Sequence, residues 1–135
     1  MAAELRLIPG FEGQTDFIPL IHPKCEKEMA EIAKESGRIK KFRSDFKARL
    51  DFLIANKERC TLHREWFEAL KYSETGMHGM RLASINNMRV LFIIQNNESW
   101  FLCAFKKLES DGETKSYRKY IPVAEARLSE VLEEV

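Results

Sequence analysis

Long apolar runs are missing from this sequence: nothing approaches the ~18–20 consecutive apolar residues that a membrane-spanning helix needs, so no span is expected. Cysteine is scarce, with only Cys25, Cys60 and Cys103. An odd number does not make a disulfide framework, and a reducing setting is the simplest one for three thiols. Net charge is almost absent as well, +1 from 22 Lys and Arg against 21 Asp and Glu. That balance by itself argues neither for nor against a nucleic-acid partner. Residues 1–10 hold no basic stretch leading into a long apolar run, so no secretory leader is expected and a cytoplasmic location is. There is no glycine-rich phosphate loop, no Gly-x-Ser-x-Gly elbow and no His-Glu-x-x-His. Walker-type nucleotide hydrolysis, α/β-hydrolase chemistry and zincin chemistry therefore have no carrier here.

What is present is enough for one core. A hydrophobic fraction of 44% over 135 residues predicts an ordinary single domain. We place it over 16–135, behind an irregular arm over 1–15 that contains Pro9, Gly10 and Gly13. The charges are unevenly spread. Residues 38–71 hold ten Lys and Arg to five Asp and Glu, whereas 1–37 hold four to seven and 123–135 hold one to four. A basic middle lies between acidic ends.

The apolar spacing then sets the elements. Asp16 to Ile21 reads as a short strand, placed at an edge because Pro19 cannot donate to a ladder. Pro23 suits the first position of a helix whose stripe is Met29, Ile32 and Ala33 and whose stop is Gly37. Phe42, Phe46, Leu50, Leu53 and Ile54 give a second helix from about Lys40 to Asn56, and the short turn between them makes an antiparallel hairpin. Three strands follow, Gly79–Ala83, Arg89–Gln95 and Trp100–Phe105. Their turns fall at Asn86-Asn87 and Asn96-Asn97, because Asn tolerates positive φ. Residues 109–120 read as a loop, and Pro122 as the start of a closing helix bearing Ala124, Leu128, Val131 and Leu132. The expected class is α+β: an N-terminal helical hairpin packed on a small, mainly antiparallel sheet, with a C-terminal helix. Helices on one sheet face would leave the other open to a ligand.

Two constellations could carry chemistry. Arg81 and Arg89 fall on adjacent strands, with His78 just before, and Lys106, Lys107, Lys115, Tyr117, Arg118, Lys119 and Tyr120 follow the last strand. Cations beside a scissile phosphate stabilise the charge that grows in phosphoryl transfer, and a tyrosine can move a proton or stack on an unpaired base. The plainer alternative is a set of cations that only solubilises strand ends. Arg89 and Lys106 are expected to be exposed. The second constellation is His22 with Cys25 and Cys60 with His63, two thiol–imidazole pairs at ligand spacing that a helical hairpin would bring to one end for a tetrahedral zinc. Buried thiols and surface imidazoles are the more ordinary reading, so no metal and no other cofactor is expected.

The segments "GMHGMRLASINNMRVLFII", "WFLCAFKKLES" and "IPVAEARLSEVLEE" resemble the RelE/ParE toxin superfamily, in particular its HigB-like, phage-derived branch. The resemblance runs over about 65–134. It implies a RelE-like fold and a toxin of a type II toxin–antitoxin system that binds RNA, cleaves mRNA in the ribosomal A site and so inhibits translation. In that chemistry the ribose 2′-hydroxyl attacks the adjacent phosphate. By the same resemblance Arg89 contacts RNA phosphate, Arg81 is its basic neighbour, Lys106 and Lys107 stabilise the transition state, and Tyr117 or Tyr120 stacks on a base or aids proton transfer. The implied partners are a cognate antitoxin, the ribosome and mRNA.

A second reading keeps the fold and drops the catalysis: a gyrase inhibitor of the ParE kind, or a silent relative. Cations converging with a tyrosine on one face favour the nuclease. Acids closing over that face, with Glu109, Asp111 and Glu113 nearby, favour the binder.

Overall fold

The structure, a computed structural model, describes residues 4–71 and 73–133. The first three residues of the expected arm and the last two of the closing helix lie outside them. Among the described residues the chain is α+β, with three α-helices and one mainly antiparallel six-stranded sheet. In chain order these are β1 (Arg6–Leu7), β2 (Ile18–Ile21), α1 (Pro23–Ser36), α2 (Ile39–Asn56), a 3-10 turn at Lys57–Leu62, β3 (Phe67–Ala69), β4 (His78–Leu82), β5 (Met88–Gln95), β6 (Glu98–Lys106) and α3 (Glu113–Glu133). Strand order is β1-β2-β6-β5-β4-β3, with β2 parallel to β6 and every other pair antiparallel. No described helix is long and apolar enough to cross a membrane.

Local chemistry explains most boundaries. His22 caps α1, its Nδ1 accepting from the Lys24 N–H at 3.1 Å, and Pro23 follows where a missing N–H costs nothing. Gly37 ends α1 at φ 71°, and its N–H donates to the Lys34 carbonyl. Asn86, Asn87, Asn96 and Asn97 all hold positive φ, between 49° and 61°, and turn the β4–β5–β6 meander.

Four expectations need correction. The arm is not wholly irregular, because Arg6–Leu7 pairs with β2. That pairing makes β2 an inner strand. Pro19 is accommodated because the Ile18 and His22 N–H groups point to β6, so its missing donor falls on the side of the two-residue β1. The third correction is that α3 begins at Glu113, nine residues before Pro122, because Tyr117, Ile121, Ala124, Leu128 and Val131 form one buried stripe. Pro122 sits inside the helix on its exposed side.

The fourth correction decides the most. The sheet is covered on both faces. Under the hairpin, Met29, Ile32, Leu50 and Leu53 meet Met80, Val90, Phe92 and Phe101. Under α3, Tyr117, Ile121, Ala124 and Leu128 meet Leu91, Ile93, Leu102 and Phe105. The face expected to be open carries α3.

Candidate functional site

Arg81 and Arg89 are direct partners across the β4–β5 ladder. Their neighbours Met80 and Val90 enter the core beneath the hairpin, so strand alternation sends both arginines to the α3 side. Arg89 is 5% exposed. It donates from Nη1 to Asn87 Oδ1 at 2.8 Å and from Nη2 to Glu113 Oε1 at 2.9 Å. Arg81 pairs with Glu68 of β3 and reaches the Arg64 carbonyl at 3.4 Å. On the hairpin side, Arg49 of α2 donates from Nε to the Arg81 carbonyl at 2.6 Å, which holds that end of β4.

From above, α3 lowers Tyr117 onto β4. The ring is fully buried, and its Oη sits so close to Gly79 that a Cβ there would come within 2.7 Å. Gly79 is needed for clearance. Four polar atoms in this layer are buried without a hydrogen-bond partner among the described residues: Arg81 Nε, Arg89 Nε, Tyr117 Oη and Glu113 Oε2. Each such atom costs about 1–3 kcal/mol, so native interiors keep few of them.

The electrostatics follow from the geometry. Burial alone would raise the Glu113 carboxyl, but the Arg89 hydrogen bond and the charges of Arg89, Arg81 and Lys107 outweigh it and hold the carboxyl below its usual value. Burial would lower the Arg81 guanidinium, and Glu68 and Glu113 together raise it above its ordinary value. Burial, with the Glu68 charge, pushes the Tyr117 phenol well up. At neutral pH Tyr117 keeps its proton, and burial makes it a weaker acid than a free phenol, a hydroxyl that can both donate and accept a hydrogen bond.

Four of the expected residues therefore form one group: Arg81, Arg89 and Tyr117 in the layer, with Lys107 near enough to act on Glu113. Arg89 is buried where an exposed cation was expected, because the Glu113 end of α3 lies over it. His78 is on the opposite face, stacked on Phe92 at 5.4 Å with Nδ1 donating to the Gly76 carbonyl at 2.9 Å. Lys106 points to the hairpin and pairs with Glu35 of α1 at 2.8 Å. Lys115 pairs with Asp111 at 3.2 Å, and Arg118 is exposed on α3. Tyr120 stacks on Phe105 at 4.1 Å, with the Lys119 ammonium 5.5 Å from its ring centroid. Lys106, Lys119 and Tyr120 instead line a cleft of about 360 Å³ between α1 and α3, together with Glu28, Glu31 and Glu35. Its charge is mixed where a basic surface was expected.

The zinc set does not assemble; among the described residues no three His, Cys, Asp or Glu side chains are grouped to hold a metal. Both nitrogens of His22 are engaged, Nδ1 in the helix cap and Nε2 donating to Glu130 at 3.4 Å. His63 stacks on Trp66 at 4.0 Å. Burial raises the Cys25 thiol well above its ordinary value and pushes Cys60 up to about 12, so both stay protonated.

The sequence reading missed Asn87, Glu68 and Gly79 as parts of the group, and saw Glu113 only as a nearby acid. The Glu113–Tyr117 spacing of four would have placed both on one helix face had the start of α3 been placed at 113. No protein-family model, no curated protein and no solved structure matches this chain.

Proposed function

We propose that the chain is a toxin of the RelE/ParE kind that cleaves mRNA on the ribosome, with Arg81, Arg89 and Tyr117 as its working residues. One observation carries the reading: two arginines on neighbouring strands and a protonated tyrosine converge on one sheet face around polar atoms without hydrogen-bond partners among the described residues. Attack of a ribose 2′-hydroxyl on the adjacent phosphate builds negative charge on the non-bridging oxygens, which paired guanidinium groups stabilise. The 2′-hydroxyl releases its proton to water as it attacks, and the 5′-oxygen leaving group takes one from the Tyr117 hydroxyl. A cognate antitoxin, the ribosome and mRNA are its partners, in a cytoplasmic setting.

A second reading rests on Glu113. An acid closes over Arg89, as suits a binding protein on the same fold. Induced expression in a bacterial host, with mapping of mRNA 5′ ends with and without translation, separates the two. Growth arrest with cuts confined to translated messages is the expected result. Arrest without cuts moves the assignment to a gyrase-type binder, and no arrest with no cuts removes the nuclease and the gyrase inhibitor and leaves the silent relative.

A further inference from the structure

We infer that Glu113 is a built-in stand-in for an anionic ligand: its carboxylate fills a seat for one phosphate group formed by the buried Arg89 guanidinium at the start of α3. The ligand class, the phosphate of a single-stranded RNA, rests on the function proposed above; the seat itself does not.

The argument begins with an imbalance. Of the four buried polar atoms of the layer, Arg81 Nε and Arg89 Nε can only donate and Glu113 Oε2 can only accept, while Tyr117 Oη lies close enough to Arg81 to accept from it and has its own proton to donate. A ligand that satisfies this layer must be rich in acceptors and negatively charged. The carboxylate does this poorly. It meets Arg89 through one oxygen only, Oε1 to Nη2, while Nη1 is turned to Asn87. A guanidinium prefers a two-point contact with an oxyanion, and a phosphate offers more oxygens than a carboxylate in the same volume.

Position supports the same conclusion. Glu113 is the first residue of α3, where the helix dipole favours an anion of either kind. Its side chain is 39% exposed beside a guanidinium that is 6% exposed, so it can swing to solvent while Arg89 stays in place. Arg89 then remains buried and unpaired until an anion replaces the carboxylate, which makes the exchange favourable for a strong oxyanion and poor for chloride.

The test uses the intact chain with inorganic phosphate, followed by thermal unfolding and direct titration at constant ionic strength. Glu113→Gln should bind phosphate about tenfold or more tightly than wild type, a difference of ~1.4 kcal/mol, and should gain thermal stability with phosphate where wild type gains little. The double variant Glu113→Gln, Arg89→Gln should lose the gain. Glu113→Asp, which withdraws the carboxylate but keeps its charge, should fall between wild type and Glu113→Gln. Equal phosphate affinity in wild type and both single variants overturns the seat. Cleavage of translated messages without a phosphate response removes the seat and leaves the nuclease. A phosphate response without cleavage keeps the seat and removes the nuclease.

Discussion

At the scale of single residues, the buried layer between β4 and α3 trades stability for chemistry. The Tyr117 hydroxyl is buried over Gly79 with no hydrogen-bond partner among the described residues, a state that favours its removal. Tyr117→Phe should therefore leave stability unchanged or raise it by about 1 kcal/mol, measured by urea unfolding. The same substitution should lower message cleavage by about 10²-fold or more if the phenol donates the proton. Unaltered cleavage would remove Tyr117 from the chemistry. Two further residues set how stability depends on pH. Burial, with the charges of Arg127 and Lys24, depresses His22 below 6.5 against the hydrogen bond and charge of Glu130 that favour its charged form. A group depressed on folding stabilises above its unfolded value, so this contribution fades as pH falls below 6.5; His78, also depressed by burial, acts in the same window. Glu113, held below 4.5, contributes in full above the ordinary glutamate range and loses its share at more acid pH. Unfolding series from pH 8 to 3 should show the upper slope flattened by His22→Asn, which keeps a cap, and the lower slope flattened by Glu113→Gln.

Between elements, the informative contact is where β2 leaves the sheet. The parallel pairing ends at Phe101, as the chain turns into α1. The next ladder groups of β6 are then taken by side chains: the Leu102 carbonyl accepts from Arg127 Nη1 at 2.8 Å, and Ala104 N–H donates to Glu28 Oε1 at 3.1 Å. Glu28 and Arg127 also pair with each other by two contacts, at 2.7 and 2.8 Å, which joins α1 to α3 across the strand. The pair therefore closes an open edge as well as bridging two helices. Either Glu28→Gln or Arg127→Met alone should cost about 3 kcal/mol, since each strands the other charge. The double variant should cost clearly less than the two losses combined. Additive losses in a double-mutant cycle would show that the two side chains act on β6 independently.

For the whole molecule, β6 lies between two cores and Phe101 is central to the hairpin side, stacked on Phe92 at 5.0 Å and edge-on to Phe46 at 6.0 Å. Phe101→Ala should cost about 3–5 kcal/mol, a large part of the ~5–15 kcal/mol that holds a domain of this size. Thermal unfolding should show a loss of this order; a change under 1 kcal/mol would mean that the aromatic stack carries little of the fold. The class of the fold was legible because its signals are local. Pro23 and Gly37 bound a helix, paired asparagines turn a meander, and apolar spacing separates helix from strand. Register was not legible: an Asn86-Asn87 pair suggests a two-residue turn, whereas the connection runs over five residues, 83–87, and it is this length that sets Arg81 opposite Arg89. What the residues by themselves determined was the order of β2, α1, α2, β4, β5, β6 and α3, with Arg81 and Arg89 on neighbouring strands; the short β1 and β3 carried no such signal. Which face each helix covers was a tertiary outcome, because sheet alternation supplies two apolar faces and the loop before α3 can reach either. That choice buried Arg89, brought Glu113 and Tyr117 to it, and sent Lys106 and Tyr120 to a separate cleft. His22, Cys25, Cys60 and His63 do not group as a metal site among the described residues, because His22 is taken up by the α1 cap and Glu130, His63 stacks on Trp66, and both thiols are buried.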